Sequence, residues 1–135
     1  MNQFELLAIL CLDLTFEHHL SRRQIYHFVD NTTAISTMVH GYSGRPEMAK
    51  LASMVTLVTI RAGFNTFFEY VDTNANVADA PSRPGDTKVK EGARAIIVEM
   101  DEVPIVFPTR EQWADVSLLL SSPQSGCKRL RGLVT

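Results

Sequence analysis

Three carboxylates stand where the sequence predicts that helices and strands begin or end. Glu5 falls at the start of an apolar helical pattern, Asp30 ends a strand-like run, and Asp79 follows a second such run. Carboxylates that a fold brings together repel one another unless cations lie between them, and Mg²⁺ prefers a few hard oxygen ligands. Two such ions about 3.5–4 Å apart can activate water for phosphodiester cleavage. The three residues therefore allow a metal-dependent hydrolytic site, although each also suits a helix cap or a surface charge.

A buried helix and a buried strand are predicted to position the first two carboxylates. The segment from Phe4 to Leu14 is apolar on nearly all sides, so a helix there is buried on more than one face. Glu5 also suits the positive end of that helix dipole. The run Ile25–Asn31 is rich in β-branched and aromatic side chains, which predicts a strand that brings Asp30 to its C-terminal edge. His27, inside this run, is predicted to be a packed or edge side chain rather than a ligand.

A strand–helix–strand crossover is predicted to bring the third carboxylate to the same place. Helical patterns run from Thr32 to His40 and from Pro46, a residue suited to the first helical position, to a terminating Gly63. The run Thr66–Val71 then predicts a second strand. Strands joined in this way are parallel neighbours, so their C-terminal ends share the edge of the sheet where ligands collect. We therefore expect Asp79 to lie close to Asp30.

Composition divides the 135 residues into three predicted parts. Residues 1–85 carry the helix and strand pattern and end in a stretch rich in proline and glycine. Residues 86–120 are expected to form a hairpin–helix extension, and residues 121–135 a disordered basic tail. The 45% hydrophobic content is that of a globular protein with a real core, and the net charge of −2 argues against a general polyanion binder.

The extension has its own pattern. Two β-like runs, Ala95–Met100 and Val103–Phe107, predict a hairpin, and Pro104 restricts the second run to an edge strand. Thr109 and Gln112 have the spacing of a capping box that opens a last helix. The chain is thus expected to end in a hairpin followed by one helix.

Cysteine usage and the N-terminal segment bear on the compartment. The two cysteines, Cys11 and Cys127, are isolated, and Cys11 lies in an apolar run, which predicts a buried thiol and a reducing intracellular location, cytoplasmic or nuclear. Acidic residues at positions 5, 13 and 17 interrupt the apolar start of the chain. Neither a signal peptide nor a membrane span is therefore predicted.

Three short motifs resemble, in order and spacing, the ribonuclease H domain of retroelement reverse transcriptases. They are Phe-Glu-Leu-Leu-Ala around Glu5, Phe-Val-Asp-Asn around Asp30, and Asn-Val-Ala-Asp-Ala-Pro-Ser-Arg around Asp79. The resemblance covers residues 1–83 and implies an α/β, partial ribonuclease H-like fold, with the order helix, strand, helices, strand and short helix. It also implies that Glu5, Asp30 and Asp79 are catalytic ligands of two Mg²⁺ ions, with Mn²⁺ as an alternative. The implied substrate is the RNA strand of an RNA–DNA hybrid, or another nucleic acid.

The resemblance further implies that part of the family fold lies upstream of this segment. In the family, three antiparallel strands come first, and the first of them supplies another metal-binding aspartate. The catalytic-loop histidine of some members has no counterpart between Val71 and Asp79. We therefore expect the C-terminal part of such a domain, partnered by the upstream polymerase segment of the same polyprotein and by no membrane. Hydrolysis by these residues alone is expected to be impaired, because a two-metal site needs its full set of ligands.

Two other interpretations stay open. The chain could be a non-catalytic remnant of the fold that binds nucleic acid or a protein, or that has no function. It could also be an unrelated small α/β binding module whose motif matches are accidental. The last interpretation predicts that Glu5, Asp30 and Asp79 do not converge, since oxygens more than about 10 Å apart cannot share a metal pair.

Overall fold

The chain alternates helices with two strands and finishes in two short helices. A computed structural model describes residues 2–79 and 103–121. Within these ranges the protein is a mixed α/β structure with five α-helices and a two-stranded parallel sheet. The elements are α1 (Asn2–Leu20), β1 (Gln24–Val29), α2 (Thr32–His40), α3 (Pro46–Ala62), β2 (Asn65–Tyr70), a 3₁₀ turn (Thr73–Ala75), α4 (Arg110–Ala114) and α5 (Leu118–Ser121).

The two strands form the parallel pair that the crossover predicted. Their register places Gln24 beside Asn65 and Val29 beside Tyr70. Beyond the last pair, the Val71 N–H donates to the Val29 carbonyl over 3.1 Å. β1 ends at Val29, so that Asp30 comes directly after it as predicted, and β2 ends at Tyr70, one residue before the end of the predicted run. The C-terminal ends of the strands therefore lie side by side.

The helices of the crossover begin and end at the predicted residues. α3 has Pro46 in its first turn and ends at Gly63, whose φ of 69° is the left-handed conformation that glycine adopts without strain. The Gly63 N–H donates to the Thr59 carbonyl over 2.9 Å, which satisfies one of the last carbonyls of α3. Local sequence signals are thus sufficient to define this part of the chain.

α1 packs on α3 and the sheet with a broad apolar surface. Leu6 and Leu10 are fully buried on one stripe of α1, and Ile9 and Cys11 are buried on either side of it, which confirms burial on more than one side. Phe4 (70% exposed) and Leu12 (44% exposed) lie on the outer side. Cys11 is a buried free thiol, as predicted. No helix in residues 2–79 or 103–121 is both long and apolar enough to span a membrane. The buried hydrophobic cluster comprises Leu6, Ile9, Leu10, Leu14, Val29, Ala34, Met48, Leu51, Met54, Val55, Val58, Phe64 and Leu119.

The prediction that Val103–Phe107 forms the second strand of a hairpin is wrong. Residues 103–109 form neither a strand nor a helix, and the Val106 N–H donates to the Thr15 hydroxyl on α1 over 2.9 Å. Pro104 and Pro108 have no N–H to offer to a neighbouring strand, which explains why this segment does not extend a sheet. The other predicted strand, Ala95–Met100, lies outside the described residues, as does the division after residue 85.

The last predicted helix is present but broken in two. The capping box is confirmed: the Thr109 hydroxyl accepts from the Gln112 N–H, and the Gln112 side chain accepts from the Thr109 N–H. The helix then stops because Asp115 accepts hydrogen bonds from both the N–H and the hydroxyl of Ser117. Leu119 in α5 is nevertheless fully buried, so residues 103–121 pack on the same core as residues 2–79. The predicted tail falls almost entirely outside the described residues.

Candidate functional site

Glu5 and Asp30 come together where α1 begins and β1 ends. The chain reverses between Leu20 and Gln24, so that the first turn of α1 lies beside the C-terminal end of β1. The side-chain amide of Asn31 donates to the Asn2 side-chain oxygen over 2.9 Å and ties the two ends together. Burial raises the pKa of Glu5, and the negative charge of Asp30 raises it further. The fold therefore places two of the three predicted carboxylates close enough to repel each other.

Asp30 is not the cap of the helix that follows it. The N-cap of α2 is Asn31, whose side-chain oxygen accepts from the Ala34 N–H over 3.1 Å. Asn31 thus both caps α2 and contacts the start of α1 through Asn2. The helix-cap interpretation of Asp30 is wrong, and the Asp30 carboxylate remains available at the strand end.

Asp79 follows a turn that Asn76 organises. The Asn76 side-chain oxygen accepts from the Ala78 N–H, and its backbone carbonyl accepts from the Asp79 N–H, each over 3.1 Å. The asparagine of the Asn-x-Ala-Asp motif therefore has a clear local role, which is to shape the turn that presents Asp79. Within residues 2–79 and 103–121, however, no three acidic, histidine or cysteine side chains lie close enough to hold one metal ion. Asp79 thus does not complete a preformed group with Glu5 and Asp30.

The Glu5–Asp30 pair can supply part of the ligand set of a divalent-metal site. Mg²⁺ is commonly held by one or two carboxylates, with water and substrate phosphates filling its other positions. A bound cation between Glu5 and Asp30 would relieve their repulsion. The donor set of these two residues therefore fits one hard cation, and a second ion needs ligands beyond the pair.

A second pair of titratable side chains, which the motifs did not indicate, lies in the interior between α1 and the sheet. His27 Nε2 lies 3.2 Å from Asp13 Oδ1, and the two residues are 7% and 0% exposed. The contact is not aligned as a hydrogen bond, and among the described residues no hydrogen bond reaches either carboxylate oxygen of Asp13. The imidazole stacks on Phe68, with ring centroids 5.2 Å apart. His27 is thus a packed side chain, one of the two roles predicted for it.

Glu17 and Arg61 form a third polar contact that links α1 to α3. Arg61 donates through Nε to one Glu17 oxygen over 2.8 Å and through Nη2 to the other, and its Nη1 donates to the Leu119 carbonyl over 2.7 Å.

The burial of Asp13 and Glu17 could have been predicted from the sequence. Asp13 and Glu17 fall at helical spacing on the stripe of Leu6 and Leu10, which is where a core-facing side chain must lie.

The Asp13 carboxyl should make the unfolding free energy depend on pH. Burial raises the pKa of Asp13 above its ordinary value of 3.8, and the contact with His27 opposes part of that rise. A carboxyl whose pKa is raised by folding stabilises the fold most below the unfolded value, and this contribution is lost as pH rises through the folded value. The stability of the native chain relative to Asp13→Asn should therefore decrease as pH rises from 3.8, measured by urea unfolding.

Asp115→Asn is the matched control, because Ser117 lowers the pKa of Asp115 by hydrogen bonding. The stability difference between the native chain and this variant should change in the opposite direction, decreasing as pH falls. Parallel pH profiles for the two substitutions would contradict the assignment of Asp13 as a carboxyl with a raised pKa.

Comparison with protein-family models, with curated proteins and with solved structures finds no match to this chain. The function must therefore be inferred from the motifs around Glu5, Asp30 and Asp79 and from the geometry of the residues that the fold brings together.

Proposed function

We propose that the chain is the C-terminal part of a ribonuclease H-like domain of a retroelement polyprotein. In this proposal it takes part in Mg²⁺-dependent, two-metal hydrolysis of the RNA strand in RNA–DNA hybrids. The observation that carries the proposal is the proximity of Glu5 and Asp30, two carboxylates that lie 25 positions apart in sequence. Burial and the nearby Asp30 charge both raise the pKa of Glu5, an effect that a bound cation would offset.

The topology around the pair supports the same proposal. A helix with a carboxylate in its first turn, a strand that ends at an aspartate, a helical crossover and a second parallel strand follow in the order that the resemblance implies. The turn that Asn76 shapes then leads to Asp79. In open α/β sheets, ligands collect at this end of the strands. Asp79 joins the site in this proposal when metal and substrate are bound.

The remaining ligands are assigned to a partner segment. Within the described residues β1 pairs with β2 alone, which leaves the backbone groups along its other edge without a neighbouring strand. An exposed edge of this kind accepts an added strand through main-chain hydrogen bonds. We propose that the upstream polymerase segment of the same polyprotein pairs there and carries a further metal-binding carboxylate, so that hydrolysis by the 135 residues alone is impaired.

A second candidate function is binding without cleavage. The observation that favours it is that no three metal-binding side chains converge in residues 2–79 and 103–121. In this case the chain is a non-catalytic remnant of the fold that binds nucleic acid or a protein partner. The two candidates differ in whether Glu5 and Asp30 bind a divalent cation.

Metal binding is tested most directly with paramagnetic Mn²⁺ added to the ¹⁵N-labelled chain. Amide resonances of residues 5 and 30 should broaden first, because relaxation by the ion falls steeply with distance. Asp30→Asn and Glu5→Gln should each weaken this binding by about tenfold or more, since each removes a ligand. Glu47→Gln, which changes an exposed carboxylate in the first turn of α3, is the control and should leave the broadening unchanged.

Cleavage is tested with a labelled RNA–DNA hybrid in Mg²⁺ or Mn²⁺. Weak cleavage that disappears in Asp30→Asn and Asp79→Asn would exclude the remnant function. Mn²⁺ binding at residues 5 and 30 without cleavage would support an incomplete metal site. If Mn²⁺ broadens residues 5 and 30 no more than exposed acidic residues elsewhere, the proposed function is wrong.

A further inference from the structure

We propose that Asp13 and His27 are a positioning pair that sets the axial position of α1 along β1 and thereby places Glu5 beside Asp30. The part that concerns Glu5 and Asp30 as metal ligands rests on the proposed function. The part that concerns the position of α1 does not, because it follows from packing and can be measured without metal or nucleic acid.

Apolar packing alone does not define where α1 sits along its axis. Leu6, Leu10 and Leu14 recur at intervals of four residues, all of them buried. A slip of one helical turn, about 5.4 Å, would therefore exchange one leucine for the next at each position in the core. Contacts among such side chains are non-directional, so the slipped arrangement would bury similar apolar area.

Asp13 distinguishes the native axial position of α1 from the slipped positions. It is the fully buried acid on the leucine stripe, and His27 is the one basic side chain in β1. A slip of one turn in either direction would break the 3.2 Å contact between Asp13 and His27. In one direction it would also place the Asp13 carboxyl where Ile9 packs in the core, and burial of a polar group without a partner is strongly unfavourable. Fixing register in this way is the best-attested use of buried polar pairs in proteins. The stacking of His27 on Phe68 holds the imidazole in place from the β2 side.

The contact between Asp13 and His27 also determines where Glu5 lies relative to Asp30. From Asp13 back to Glu5 is eight residues of helix, about 12 Å at about 1.5 Å per residue. From His27 on to Asp30 is three residues of extended chain, about 10 Å at about 3.3 Å per residue. Two segments of nearly equal length thus leave the pair in the same direction, and their ends meet. The hydrogen bond between the side chains of Asn31 and Asn2 shows that the two segment ends are close together.

The test is the nuclear Overhauser effect between the side chains of Asn2 and Asn31 in the full-length chain. The native chain should give a cross-peak between the Asn31 side-chain amide protons and the Asn2 side-chain protons, because the 2.9 Å hydrogen bond brings these groups together. Asp13→Leu/His27→Leu should keep a dispersed spectrum while the cross-peak falls by at least about tenfold, since slipped positions of α1 become populated. Asp13→Asn, which keeps a polar group facing His27, should retain the cross-peak.

A matched control separates register from general stability. Glu17→Leu/Arg61→Leu removes the polar contact between α1 and α3 and should leave the cross-peak unchanged. If Asp13→Leu/His27→Leu does not fold, Asp13→Ala takes its place with the same expected loss of the cross-peak. An undiminished cross-peak in the variant that folds would overturn the proposal, as would an equal loss in the Glu17→Leu/Arg61→Leu control.

The same samples distinguish this proposal from the proposed function. Loss of the cross-peak together with loss of Mn²⁺ broadening at residues 5 and 30 supports both. Loss of the cross-peak in variants of a chain that never binds Mn²⁺ supports the positioning role and overturns only the metal site.

Discussion

Replacing Arg61 with alanine should lower the free energy of unfolding by about 3–5 kcal/mol, the cost of breaking a buried ion pair by removing one of its two side chains. Arg61 makes two hydrogen bonds to the Glu17 carboxylate and one to the Leu119 carbonyl, and both side chains of the ion pair are almost entirely buried. The substitution removes these hydrogen bonds from the Glu17 carboxylate and from the Leu119 carbonyl together. Urea unfolding monitored by circular dichroism measures the effect.

Two further variants test whether the stability lost in Arg61→Ala comes from breaking the buried ion pair. Glu17→Leu/Arg61→Leu should cost much less than Arg61→Ala, because it replaces both charges of the buried pair by apolar side chains. Lys50→Ala removes the exposed contact of Lys50 with the Trp113 carbonyl, which also joins α3 to the C-terminal segment. It should cost less than about 1 kcal/mol, as exposed polar contacts do. A loss below about 1 kcal/mol for Arg61→Ala would contradict a structural role for the buried pair.

Leu10→Ala should lower the free energy of unfolding by about 2–5 kcal/mol, through lost apolar burial and the cavity left behind. Leu10 is fully buried in the cluster between α1, α3 and the sheet. The same urea titration measures the loss, and the slope of the transition should stay unchanged if the denatured state is unaffected.

Leu12→Ala is the control on the same helix. Leu12 is 44% exposed, so its truncation should cost well under half as much as that of Leu10. Similar losses for the two leucines would mean that α1 is packed on all sides in solution. That result would contradict the orientation in which the buried side of α1 carries Asp13 and Glu17.

α1 links the stability of the chain to its candidate site. Its first turn carries Glu5 beside Asp30, its middle carries Asp13 beside His27, and its last turns carry Glu17 beside Arg61. Each acid therefore faces a different part of the fold. A change in how α1 packs should therefore alter the position of Glu5 at the candidate metal site, even when the substituted residue lies far from Glu5 in sequence.

Short-range signals were sufficient for most element boundaries. Pro46 and Gly63 delimit α3, and Thr109 with Gln112 opens α4, because the groups that start and stop a helix lie within a few residues of its ends. The same reasoning was wrong for Val103–Phe107. Apolar composition does not reveal whether a partner strand is present, and Val106 hydrogen-bonds to Thr15 on a distant helix instead.

The sequence by itself determined the order of helices and strands, the parallel crossover and the position of Asp30 after a strand, since these follow from local periodicity and chain connectivity. Only the tertiary structure decided which side chains meet. It brought Glu5 to Asp30, gave the helix cap to Asn31, and paired Asp13 with His27 and Glu17 with Arg61. The physical reason is that α1 is apolar almost all round, so its sequence pattern does not specify one orientation. Its buried acids need partners, and those partners lie on other elements of the fold.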